Sequence, residues 1–167
     1  MATVDRGSQL ANGIVLKGCI MKYEGKMVHV LLVENDLGDQ KLIRTAIMHT
    51  DYMVNLHVVS SAEEAIEYLQ KGLVDLRNYP KPGLVLLDLN MPGMGGKGFL
   101  KVAKADNNFC SIPVVIVTSS DLQSDIDDCY QMHAAGYIQK TASPQEFDQI
   151  IQKLARYWFP VSAVLNS

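Results

Sequence analysis

The sequence predicts an α/β fold, a doubly wound parallel sheet of five strands with five helices. Two observations carry that prediction. Short apolar runs alternate along the chain with stretches whose apolar residues recur at helical spacing. Acidic residues stand directly after two of those runs, Glu34-Asn35-Asp36 and Asp88. In an open parallel sheet the groups that meet ligands gather at the carboxyl ends of the strands.

The elements follow in order. Val28 to Val33 is an apolar strand, and Leu42, Ile43, Ala46 and Ile47 form a helical stripe near 38–50. Val54, Leu56 and Val58 alternate with Asn55 and His57, so 53–59 is a strand with one face less buried. Ser61-Ala62-Glu63-Glu64 is a capping box. It opens a helix with Ala62, Ala65, Ile66 and Leu69 on its apolar face. A loop with Gly72, Pro80, Pro82 and Gly83 leads to a third strand over 84–88. Phe99, Val102 and Ala103 mark a helix near 96–106. Pro113 precedes the β-branched strand Val114–Val117, and Leu122, Ile126 and Cys129 mark a helix near 121–133. Tyr137 to Gln139 is a short fifth strand. Ser143-Pro144-Gln145-Glu146 caps the last helix, with proline at its first position and a stripe of Phe147, Ile150, Ile151, Leu154 and Trp158. Right-handed crossovers leave few topologies, and the flavodoxin-like order 2-1-3-4-5 fits best. It brings the acidic stations after strands 1 and 3 together at the switch point.

Residues 1–26 carry Gly7, Gly13, Gly18 and Gly25 without sustained periodicity and read as a loosely ordered extension. Met21 and Met27 stand as alternative starts. Residues 27–159 form the one expected domain, and 160–167 a tail. Apolar content of 48% is enough for a core without staples, and 20% charged residues are ordinary for a globular chain. A net charge of -3 without a basic stripe gives no reason to expect nucleic-acid binding. No apolar run reaches membrane-spanning length. Met1 to Lys26 lacks the pattern of a secretory signal. Cys19, Cys110 and Cys129 are odd in number and follow no CxxC spacing, so reduced thiols in the cytoplasm are expected.

The chemistry centres on Asp88. An ionised carboxylate at the end of a buried strand is costly unless its desolvation is offset. Company is available: Glu34, Asn35 and Asp36 after strand one, Thr118 after strand four, Lys140 after strand five. Neighbouring carboxylates raise one another's pKa unless a cation intervenes. Mg²⁺ is that cation, held by one or two carboxylates and completed by waters and phosphate oxygens. Asp88 is then a nucleophile toward phosphorus, Lys140 a second cation, Thr118 a hydroxyl donor, and Asn90 a source of a backbone carbonyl for the metal. Catalysis of this kind rests on positioning and electrostatics.

From Val28 to Phe159 the chain resembles the receiver domain of two-component response regulators. Leu31-Leu32-Val33-Glu34, Leu86-Leu87-Asp88-Leu89-Asn90-Met91-Pro92, Val117-Thr118-Ser119 and Gly136-Tyr137-Ile138-Gln139-Lys140 carry the resemblance. It implies phosphorylation of Asp88 from a sensor histidine kinase or a phosphotransfer protein. It also implies a switch in which Thr118 moves toward the phosphoryl group and Tyr137 changes rotamer. The loop at 72–83 and the end Tyr157-Trp158-Phe159 resemble the small single-domain regulators paired with phytochromes, so the kinase implied is a phytochrome. Eight residues follow Phe159, too few for an output domain, and a stand-alone receiver is expected.

Two departures from the family pattern stand out. The family has two adjacent acids after strand one; here the second place is Asn35, with Asp36 one position late. Weaker Mg²⁺ binding is expected unless Asp36 serves; Asn35 and Asp36 both also suit a helix cap. Thr141 stands where the family has a cis proline after its lysine, so the loop that aims Lys140 is expected to differ.

Other features receive plainer readings. Gly93-Met94-Gly95-Gly96-Lys97-Gly98 fails the phosphate-loop pattern and shapes a turn. His29, His49, His57 and His133 show no metal spacing, and His57 is a strand-face residue. Asp121, Asp125, Asp127 and Asp128 read as a solvated helix face; Met48, Met53 and Met132 as core filler. Tyr157 and Phe159 fall off the last stripe and suggest a contact surface, hence a C2 homodimer through the fourth helix, fifth strand and last helix. Two rival functions differ in class. A haloacid-dehalogenase-type phosphatase would need an acid at Asn90. A pseudo-receiver would bind partners without phosphorylation, an alternative that Asn35 keeps open.

Overall fold

The computed structural model describes residues 27–165, with side chains described for 27–160. The expected extension at 1–26 lies outside the described residues. The elements are β1 Val28–Val33, α1 Leu37–Met48, β2 Val54–Val59, α2 Ala62–Gly72 and β3 Leu84–Leu87. They continue as α3 Gly95–Ala105, β4 Val114–Thr118, α4 Gln123–Gln131, β5 Gly136–Gln139 and α5 Pro144–Leu165. All five strands pair in parallel, in the order β2-β1-β3-β4-β5.

Alternating side chains build two cores, one per face. Leu31, Val33, Val85, Leu87, Val114 and Ile116 pack under α2, α3 and α4, against Ala65, Leu69, Phe99, Leu100 and Cys129. Val28, Val30, Leu32, Leu86, Val115 and Val117 pack under α1 and α5, against Ile43, Ile47, Phe147, Ile151 and Ala155. The central strands are buried on both faces, which is why they read as unbroken apolar runs. β2 is an edge strand, and all six of its residues are half-buried.

Local signals explain the helix starts. Ser61 Oγ accepts from Glu64 N (3.1 Å), while Glu64 Oε2 accepts from Ser60 N (2.9 Å), so the reciprocal bond lands one residue early. Ser143 Oγ accepts from Glu146 N at the start of α5. Gly93, at φ +76°, turns the chain out of β3, and Gly96 seats α3 on it. A Cβ on Gly96 would press into the Asp88 carbonyl and stand 2.7 Å from Leu89 Cα.

Four expectations are corrected. Phe159 is fully buried and meets Tyr52 edge-on at 5.5 Å, so it belongs to the core and not to an exposed aromatic cluster. The helix does not stop there: α5 continues through Pro160 to Leu165. Pro160 has no N–H to donate, so the helix runs on with one hydrogen bond fewer. Met48 and Met53 lie exposed, so only Met132 packs against the core. Val102 also faces outward, because Phe99, Leu100 and Ala103 hold the buried side of α3. Among the described residues no helix is long and apolar enough to cross a membrane.

Candidate functional site

β1 and β3 are neighbours, and their last residues, Val33 and Leu87, are partners in register. Glu34 and Asp88 therefore leave the sheet side by side. Backbone bonds pin both: Glu34 N donates to Val59 O (3.1 Å) and Asp88 N donates to Val33 O (3.0 Å). Thr118 ends β4, and its carbonyl accepts from Lys140 N at 2.7 Å, which fixes the root of the lysine. Four strands thus bring their functional residues to one edge.

Lys140 Nζ is the hub. It lies 2.7 Å from Glu34 Oε2, 2.6 Å from Asp39 Oδ2 and 3.5 Å from Asp88 Oδ1. Burial works against its charge, but the bonds to Asp39 and Glu34 and the nearby carboxylates outweigh that and hold its pKa above the ordinary lysine value. Glu34 is 1% exposed. Burial pushes its pKa up, more than its bonds with Lys140 and with the Asp36 N–H pull it down. Asp88 is 5% exposed. Its Oδ1 is shielded from solvent and accepts no hydrogen bond; among the described residues the only cation it faces is the more distant lysine. A buried, hydrogen-bond-poor carboxylate oxygen among excess negative charge fits a divalent cation.

The other expected residues fall as follows. Asn35 is exposed. Asp36 is the N-cap of α1, its Oδ1 accepting from Asp39 N at 2.8 Å. Asn90 lies over the site, its Nδ2 3.4 Å from both Thr118 Oγ1 and Ser119 Oγ. Thr118 is fully buried, and its hydroxyl also accepts a long bond from Ser120 N. Tyr137 is half-buried and donates to Ser120 O at 3.1 Å. Among the described residues no peptide bond is cis, and Thr141 instead donates to Ser143 O.

Two partners were not anticipated. Asp39 reaches Lys140 from the first turn of α1. The acidic run on α4 is also more than a solvated face. Lys97 of α3 bridges Asp125 (2.7 Å) and Asp128 (2.6 Å), and Asp125 Oδ2 accepts from Ser120 Oγ at 2.5 Å. The segment after Thr118 is thereby tied to α3 through α4.

Comparison with known proteins agrees with this geometry. Residues 30–152 match the response regulator receiver domain. The chain is 28% identical over 129 residues to the response regulator Rcp1 of Synechocystis, covering 77% of this chain and 87% of that one. It is 34% identical over 123 residues to the two-component response regulator ARR5 of Arabidopsis thaliana, covering 69% of this chain and 64% of that one. The phosphorylated cyanobacterial phytochrome response regulator RcpA superposes with a TM-score of 0.75 at 30% identity, over 81% of this chain and 96% of its own. The Mn²⁺-bound form of Rcp1 gives 0.72 at 27% identity, over 78% and 94%. With its sheet order, its strand-end acids and lysine, and this match over most of its length, the chain belongs to the response regulator receiver family.

Proposed function

We propose that Asp88 accepts a phosphoryl group from the phosphohistidine of a sensor histidine kinase or phosphotransfer protein. One observation carries the reading: Asp88 Oδ1 is buried, accepts no hydrogen bond and has Lys140 within reach. The Asp88 carboxylate attacks phosphorus through one of its oxygens, the P–N bond breaks, and the imidazole leaves with the electron pair and takes up a proton. Lys140 then pairs with the acyl phosphate. Glu34 and Asp88, with the Asn90 carbonyl, would hold Mg²⁺, which neutralises charge on the phosphoryl group. Glu34 fits that use, since a buried carboxylate with a raised pKa gains from a cation beside it.

The switch reading uses the bonds around Ser120. Thr118 gives up the long contacts with Asn90 and Ser120 to donate to a phosphoryl oxygen. Ser120 follows, and Tyr137 loses its acceptor and turns. The α4–β5–α5 face changes with it, and partners or a second copy of the chain read that change. Tyr130 and Tyr157 are exposed there, and half-buried Trp158 packs edge-on to Tyr157. The likeness to RcpA supports a phytochrome as the kinase. The chain acts as a phosphoacceptor that catalyses at most its own phosphorylation and dephosphorylation.

Incubation with acetyl phosphate and Mg²⁺ tests the reading. A mass gain of one phosphoryl group that is absent in Asp88→Asn is expected. No gain at any Mg²⁺ concentration refutes it and leaves the pseudo-receiver, a binding module that works unphosphorylated. Sedimentation with and without a phosphate mimic tests the dimer, which a monomer under both conditions excludes.

A further inference from the structure

Asn35 offers the cation site a neutral oxygen where a carboxylate is expected, and Asp36 is committed to capping α1. The site's negative charge must be made up elsewhere for a divalent ion to bind well. Asp39 is placed to do so. It sits in the first turn of α1, close enough that one ammonium, Lys140 Nζ, touches it together with Glu34 and Asp88. Lys140 is the only cation Asp39 meets among the described residues. Asp88, which is nine-tenths buried with an oxygen that accepts no hydrogen bond, faces the same cluster. Resting on the proposed metal-assisted reading, we infer that Asp39 supplies the second acidic charge of the cation site, in place of Asn35.

The physical logic is a charge count. Three carboxylates face one lysine, and the surplus favours a divalent ion. Lys140 offsets one of the three charges, and removing Asp39 would leave its ammonium to Glu34 and Asp88 alone, lowering the charge a cation would meet. Asp39 is a positioning and charge-supplying residue and takes no part in bond making. The arrangement costs little strain, because Asp39 is already held at the helix start, where acids are favoured.

Mn²⁺ titration of the full chain, followed by electron paramagnetic resonance, tests this without reference to phosphorylation. Asp39→Asn is expected to weaken binding about tenfold, the size of effect that residues around a metal's direct ligands have. Asp36→Asn removes the same charge one turn away and keeps the cap, so it is expected to change affinity less than about threefold. Asn35→Asp combined with Asp39→Asn is expected to restore the affinity of the parent. That compensation is a coupling a merely structural Asp39 would not produce. Asp39→Ser repeats the measurement if the amide variant melts early. Equal losses in Asp39→Asn and Asp36→Asn, or no rescue by Asn35→Asp, overturn the inference while the cation site stands. A parent chain that binds no Mn²⁺ overturns the metal-assisted reading as well.

Discussion

Replacing Gly96 by alanine tests how the helix after β3 sets the position of Asp88. The added methyl would run into the Asp88 carbonyl and crowd Leu89 Cα at 2.7 Å, both backbone atoms. Carbon contacts settle near 3.5–4.0 Å, so α3 and the strand end must separate by about an ångström. Overpacking of this kind costs roughly 1–3 kcal/mol, against which alanine's better helix propensity returns about 1 kcal/mol. The backbone neighbour cannot rotate aside, which puts the cost at the upper end of that range and the net loss at about 2 kcal/mol. At about 2 cal/mol/K per residue, a domain of this size then melts roughly 7 °C lower. Gly98→Ala is the internal control. It lies in the same helix and gains the same propensity, but its methyl meets the Met94 side chain, which is flexible and partly exposed. Circular dichroism melts of both variants are the assay, with acetyl phosphate labelling to follow the displaced Asp88. If Gly96→Ala melts within about 2 °C of Gly98→Ala, the close approach does not govern this region and the reasoning fails.

Two further predictions concern the core and the buried acid. Phe159→Ala should cost about 3–5 kcal/mol in urea unfolding, since the ring is fully buried. Tyr157→Ala, two residues away and exposed, should stay within about 0.5 kcal/mol; equal effects would return Phe159 to the surface. Glu34 has its pKa raised above its ordinary value of 4.5 in the folded chain. Its contribution is therefore complete below that value and is lost as pH climbs through the raised one. Glu34→Gln should gain on the parent chain in unfolding midpoint as pH rises from 4.5, and a shrinking difference would show that the bond to Lys140 wins over burial.

The sheet was legible because both of its signals are local. Apolar runs such as Leu84–Leu87 and caps such as Ser61 report their own environment. The meeting of Glu34, Asp88, Thr118 and Lys140 followed from topology, since a parallel sheet must deliver all its strand ends to one edge. What stayed hidden depended on contacts between distant segments. Trp158 continues the stripe of α5 better than Phe159 does, yet Phe159 is buried because Tyr52, from the α1–β2 connection, covers it. Asp39 was masked by its own neighbour: Asp36 and Asp39 are spaced like a helix cap, and the first does cap the second's N–H. Nothing in that spacing announces the lysine a hundred residues on. Lys97 is similar, because its carboxylate partners belong to α4, the next helix along the chain, beyond β4.

Pro160 has no N–H to give, so the Arg156 carbonyl lacks its usual donor within α5. Among the residues whose side chains are described, Phe159 is the last of the helix in the core, and the missing bond belongs to the residue that follows it. α5 is thereby divided at Pro160 into two lengths joined by a weakened rung. The helix can therefore bend at this rung without levering the sheet apart.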